Sequence, residues 1–169
     1  MTGDPIRACV LTVSDRCSRG EAEDTSGPAL CAMLDQKLGA VIEEAECVPD
    51  ERDRIAAVLR EWSNQHSPDL ILTTGGTGLA PRDVTPEATR GVIEREHAGL
   101  IQLMQLRCLQ KTVLTYLSRG VAGTLGRTLI INLPGSKKGA TECLEALLDL
   151  LPHAINVLRG EVGDGCAPK

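Results

Sequence analysis

A chain of 169 residues with 42% apolar residues is long enough to bury one full hydrophobic core, and its formal net charge of −5 excludes the basic footprint of a phosphate-backbone binder. One Trp, one Tyr and no Phe exclude an aromatic stacking platform, so no nucleic-acid role is expected. No apolar run is long enough to span a bilayer, and seven scattered cysteines with no CxxC pair and no signal peptide point to a reducing, cytoplasmic setting.

Residues 6–13 (IRACVLTV) form an apolar run suited to a central strand, and the polar stretch 14–25 reads as a loop. Ser26-Gly27-Pro28 opens a helix whose Leu30, Met33, Leu34 and Leu38 recur at helical spacing until Gly39 stops it. Residues 41–48 read as a second strand. Asp50 stands where an N-cap belongs, ahead of Ile55, Val58, Leu59 and Trp62 on one helical face. From Pro86 a helical pattern runs through Glu94, weakens near Gly99 and resumes over 100–109, while Gly120, Gly123 and Gly126 break 111–127. Residues 128–133 (TLIINL) are a plain strand. A leucine-striped helix follows, with Leu144, Leu147, Leu148 and Leu151, which Pro152 interrupts or restarts; from 161 the glycine-rich tail is expected to fray. His66, His97 and His153 lack metal-ligand spacing. Neither a linker nor an internal repeat interrupts the pattern, so 1–169 reads as a single domain.

The stretch 68–91 (PDLILTTGGTGLAPRDVTPEATRG) organises the rest. Leu70-Ile71-Leu72-Thr73-Thr74 reads as a buried parallel strand, followed by Gly75, Gly76, Thr77 and Gly78, which allow positive φ and close approach of a ligand. Thr85 as N-cap, Pro86 and the acidic Glu87 then start a helix, a strand-loop-helix unit that binds anions in open α/β sheets. Asp83 in such a loop suits a Mg²⁺ bridging phosphate oxygens; an ordinary surface loop with Arg82 and Asp83 as a solvated pair is the alternative. No Walker A lysine follows, and Pro81 occupies the last glycine position of a GxGxxG pattern. Strand-helix alternation throughout predicts a three-layer αβα sandwich around a mostly parallel sheet. Three loops would reach the carboxyl edge: Ser14-Asp15, 75–83 and 134–139 (PGSKKG). The last, with Lys137 and Lys138, suits either a phosphate clamp or a basic helix cap.

LTTGGTGLAPRDVTPEAT resembles the hallmark of the molybdopterin adenylyltransferase family, which includes the G domain of gephyrin. VLTVSD (10–15), AEDTSG (22–27), VPDE (48–51), LSR (117–119) and IINLPGSKKG (130–139) are similar to other family blocks, so the resemblance spans nearly the whole chain in order. It implies a cytoplasmic homotrimer of α/β subunits that binds molybdopterin and Mg-ATP and joins AMP to the pterin's terminal phosphate with loss of pyrophosphate. The family's two essential acids fall on Asp50 and Asp83, which would also hold Mg²⁺. Its ligand-binding segments fall on Ser14, Asp15, Gly75, Gly76, Thr77, Gly78, Ser118, Pro134, Gly135 and Ser136, with Lys137 beside them. The resemblance also raises a molybdenum-inserting domain or protein as a partner, and a silent trimerising scaffold as the alternative function. The segment 95–115 departs from the family pattern, with Ala98-Gly99 in place of its proline-glycine.

Overall fold

The computed structural model describes residues 4–161; Cys166 and the expected frayed tail, apart from Glu161, lie outside the described residues. In chain order the first half holds β1 (Arg7–Val13), the single turn α1 (Asp15–Ser18), α2 (Ser26–Leu38), β2 (Val41–Val48), α3 (Arg52–Gln65) and β3 (Leu70–Thr74). The second half holds α4 (Thr85–Arg90), β4 (Arg95–Glu96), α5 (Ala98–Cys108), a 3-10 turn (Val113–Leu117), β5 (Ala122–Leu125), β6 (Thr128–Leu133), α6 (Lys137–Glu145) and α7 (Leu151–Arg159).

Side-chain alternation along the inner strands builds the layers. Ala8, Val10, Leu70, Leu72, Leu129 and Ile131 enter one core, shared with Leu30 and Leu34 of α2, Met104 of α5, Leu144 of α6 and Ile155 of α7. Cys9, Leu11, Ile71 and Ile130 enter the other, against Ile55, Leu59 and Trp62 of α3 and Ala88 of α4. Because both faces are covered, these strands read as continuous apolar runs rather than alternating ones. Each buried Leu or Ile contributes about 1.5–3 kcal/mol of transfer free energy. Truncating Leu72, which is 0% exposed, would therefore cost about 2–5 kcal/mol.

The strand order is β2-β1-β3-β6-β5-β4; the first four are parallel, β5 runs antiparallel to β6, and β4 antiparallel to β5. This is the expected three-layer, mostly parallel architecture. From β1 the chain passes to β2 on one side and then returns to place β3 on the other, so a crevice opens between the carboxyl ends of β1 and β3.

Three local expectations are corrected. The helix expected to reach Glu94 ends at Arg90, where Gly91 N–H donates to Glu87 O at 3.2 Å. Val92 then packs into the second core, and Glu94 N–H donates to Thr124 O, turning the chain into the edge strand β4. Gly123 belongs to β5 instead of breaking the chain. A Cβ there would meet Arg95 O at 2.6 Å, so the glycine permits the close pairing of β4 and β5. Finally, neither expected cap is one. The N-cap of α3 is Glu51 and that of α4 is Val84, neither with a side-chain cap bond; Thr85 Oγ1 instead donates to Gly75 O at 2.9 Å. Pro152, by contrast, falls in the first turn of α7 and restarts the helix, one of the two outcomes the sequence allowed.

Candidate active site

The carboxyl ends of β1, β3 and β6 meet so tightly that the base of the crevice is main chain. Gly75 adopts φ +105°, and a Cβ on it would stand 2.1 Å from Val13 O. Gly76 has φ +63°, and a Cβ on Gly135 would stand 3.1 Å from the Gly75 Cα. Two bonds tie β3 to β6 at this point: Gly75 N–H to Leu133 O at 3.1 Å and Thr74 Oγ1 to Pro134 O at 2.7 Å. The result is a cavity of about 270 Å³ directly over the β1–β3 crevice.

Carboxylates form its walls. Asp50 leaves β2 and is fixed by reciprocal bonds with Asp15: Asp15 N–H donates to Asp50 Oδ2 at 2.8 Å, and Asp50 N–H donates to Asp15 Oδ1 at 3.1 Å. The Arg82 guanidinium forks onto Asp15 at 2.8 and 3.0 Å, holding that carboxyl below its usual range. Burial is the largest influence on Asp50 and pushes its carboxyl up, with the Asp15 N–H opposing and the charges of Asp15 and Asp83 adding to the rise. Asp83 closes its own turn, its Oδ2 accepting from Ala80 N–H at 2.9 Å. Asp24 lies across the cavity, where its carboxylate accepts from Thr12 Oγ1 at 2.6 Å and from Gly27 N–H at 3.0 Å in the first turn of α2. Glu23, Asp24, Asp50 and Asp83 all line the cavity, and among the described residues no Lys, Arg or His does.

The structure gathers part of the expected set here: Ser14, Asp50, Gly75, Gly76, Asp83 and Gly135 line the cavity. Asp15 stands behind Asp50. Thr77, Gly78 and Ser118 lie along the glycine loop, with Ser118 Oγ 3.2 Å from Thr77 Oγ1. Pro134 and Ser136 line a neighbouring cavity of about 350 Å³ beside α5 and α6, and Ser136 caps α6 by accepting from Gly139 N–H at 3.1 Å. Lys137 lines neither cavity. A larger cavity of about 520 Å³ opens at the opposite edge of the sheet, but its central Arg159 and Asp69 already satisfy each other at 2.6 Å. The carboxyl edge, where α/β sheets bind ligands, is the candidate site.

Residues 9–153 match the family described as Probable molybdopterin binding domain. The chain is 42% identical over 156 residues to the molybdopterin adenylyltransferase of Helicobacter pylori, covering 92% of this chain and 89% of that one. It belongs to the molybdopterin adenylyltransferase family. It is also 44% identical to the molybdenum cofactor synthesis protein cinnamon of Drosophila melanogaster over 90% of this chain, which spans only 26% of that protein. Among solved structures it superposes on the molybdopterin biosynthesis enzyme MoaB of Thermus thermophilus with a TM-score of 0.87 and 54% identity, covering 92% of this chain and 97% of that one.

Asp50 and Asp83 both line the cavity and are the carboxylates that could hold a divalent cation there. Asp50 Oδ1 and Asp83 Oδ1 accept no hydrogen bond among the described residues, so each acid has an oxygen to give. Among the described residues no cluster of three or more potential metal ligands forms. Sequence reasoning missed Thr12, Asp24 and Ser26 as cavity residues, although AEDTSG marked the segment; only the register of β1 against α2 brings them together.

Proposed function

We propose that this chain is a molybdopterin adenylyltransferase that uses Mg-ATP. The observation that carries the reading is the charge of the cavity: a main-chain floor able to admit phosphate, walled by four carboxylates. A polyphosphate meets strong repulsion in such a cavity unless a cation accompanies it. Bound Mg²⁺, held by Asp50 and Asp83, would neutralise phosphate charge and polarise the α-phosphate. In the reaction a terminal phosphate oxygen of molybdopterin attacks the α-phosphorus of ATP, the α–β anhydride bond breaks, and pyrophosphate leaves. The chain's own residues hold the reactants in line. Gly75, Gly76 and Gly135 let phosphate lie against main chain, Ser14 supplies a wall, and the Asp15–Asp50 pair fixes one acid at the mouth. Lys137 and Ser136, at the start of α6, add positive potential and helix-end dipole beside the neighbouring cavity.

The same reading takes the protein as a cytoplasmic homotrimer. Its support is apolar surface: Leu106 of α5, Leu109 just past its end, and Val113, Leu114, Tyr116 and Leu117 of the 3-10 turn are all exposed. The six described cysteines are free thiols, in keeping with a reducing compartment, and no helix among the described residues is long and apolar enough to cross a membrane. A molybdenum-inserting domain or protein would take the product onward. The scaffold alternative has no observation in its favour. Pyrophosphate release on mixing the purified chain with molybdopterin and Mg-ATP tests the reading, and its absence under saturating conditions refutes it. Light scattering that gives a monomer at micromolar concentration refutes the trimer.

A further inference from the structure

Arg119 follows the 3-10 turn and precedes β5, and both its backbone and its side chain are bonded to the glycine loop. Its N–H donates to Thr77 O at 2.8 Å. Nε donates to Gly78 O at 2.8 Å and Nη2 to Asp83 O at 2.7 Å, while Nη1 pairs with the carboxylate of Glu87 in the first turn of α4. The carbonyls of residues 78 and 83 flank the reverse turn 80–83, which is closed from within by Asp83 N–H to Ala80 O and by Ala80 N–H to Asp83 Oδ2, both 2.9 Å. Among the described residues no other side chain donates to a carbonyl of residues 77–83. One planar fork thus pins both ends of the turn and ties it to α4, a geometry that a lysine's single ammonium cannot reproduce.

We propose that Arg119 is a positioning residue for adenylyl transfer: by holding the Gly78 and Asp83 carbonyls it fixes the direction of the Asp83 carboxylate over the cavity. The inference rests on the adenylyl-transfer reading above. Asp83 is held by its own backbone carbonyl on one side and by Ala80 N–H on the other, which leaves Oδ1 to meet a ligand. Glu87 orients the fork in turn; the Arg119 bond is the largest influence on its carboxyl and keeps it below its usual range. Without the fork, the turn retains its internal bonds but loses its anchor, so the acid drifts while the sheet stays intact.

Arg119→Ala and Arg119→Lys in the full chain test this, with three readouts: pyrophosphate-release kinetics, hydrogen exchange of residues 76–85, and the thermal midpoint. In Arg119→Ala, amides of the turn should exchange about 10-fold faster or more, as expected when a local anchor is lost. Turnover should fall about 10- to 100-fold with the KM for molybdopterin within about 3-fold, the pattern of misplaced chemistry rather than lost binding. The Mg²⁺ concentration giving half-maximal rate should rise, and added guanidinium ion should restore part of the turnover. Arg119→Lys should keep the thermal midpoint yet show the same loss of turnover, and it decides the matter if the alanine variant does not fold. Unchanged loop exchange and Mg²⁺ dependence in either folded variant would overturn the assignment. A wild type that releases no pyrophosphate defeats the adenylyl-transfer reading instead, and the exchange comparison still decides whether Arg119 holds Asp83.

Discussion

Gly75→Ala and Gly76→Ala place the same methyl group one residue apart, and the structure assigns them opposite phenotypes. At Gly75 the new Cβ would lie 2.1 Å from Val13 O with φ at +105°. Both partners are main chain at the ends of paired strands, so neither can turn aside. Backbone strain of about 1–3 kcal/mol and overpacking of about 1–3 kcal/mol then combine to about 2–6 kcal/mol. At about 2–4 °C per kcal/mol for a chain of this size, the melting midpoint should fall by roughly 4–24 °C. At Gly76 the methyl meets Thr85 Oγ1 at 2.3 Å and Asp50 Oδ1 at 3.0 Å, side-chain rather than main-chain atoms, so the side chains and not the strand ends must give. The left-handed backbone there costs an alanine about 1–2 kcal/mol. Thr85 would lose its bond to Gly75 O and Asp50 its aim, so turnover should drop on the order of 10²-fold while most of the fold survives. Circular-dichroism melts paired with pyrophosphate release per folded molecule separate the two. Equal melting shifts, or a fully active Gly76→Ala, would refute the reasoning.

Asp83→Asn keeps shape but removes charge, so turnover should fall on the order of 10²-fold with molybdopterin affinity changed far less; near-normal adenylylation by the purified variant removes Asp83 as a metal ligand. Asp50 has its folded pKa raised, chiefly by burial, so the stability this group contributes is present below the unfolded value, about 3.9, and is lost as pH rises through the folded one. Asp50→Asn should therefore melt at or above wild type at pH 7 while losing turnover, with the melting gap closing toward about pH 3; a lower midpoint at pH 7 contradicts the electrostatics. Lys137 lines neither cavity, so Lys137→Ala should raise KM by no more than about 3-fold, and the effect should vanish in about 0.5 M salt; a large, salt-insensitive effect means direct contact.

The four parallel strands and the glycine loop were legible because their signals are local: β3 and β6, for instance, end where apolar or β-branched runs give way to Gly75 and Pro134, whereas β4 and β5 were not read as strands. What the sequence concealed depends on partners far along the chain. Asp50 looks like a helix cap by spacing, yet its Oδ2 takes the N–H of Asp15, 35 residues away. Val92 and Ile93 look like the tail of a helix; the edge of β5, some 30 residues later, draws the segment into a sheet. Asp24 and Thr12 lie in marked segments, yet nothing local says that they meet; they become one wall only when α2 folds back over β1. Arg119 stands in the LSR block but nothing local gives it a partner, and its bonds to Gly78 and Asp83 cross 41 and 36 positions.

The main-chain floor divides the site into a part that cannot vary and a part that can. A Gly75 Cβ would stand 2.1 Å from Val13 O, so no side chain can be added there without parting the strands, and a Gly135 Cβ, 3.1 Å from the Gly75 Cα, would push the two segments apart by a few tenths of an ångström. Single substitutions therefore cannot remodel the floor to accept a different group. The surrounding wall is built of side chains on separate segments: Thr12 from β1, Glu23 from the approach to α2, Ser26 from its first turn and Cys17 from α1. Glu23 and Cys17 lie outside the strands, so these can be exchanged without disturbing the sheet ends. Divergence in ligand preference among relatives should thus be written in the wall, one position at a time, above a base that is inherited whole.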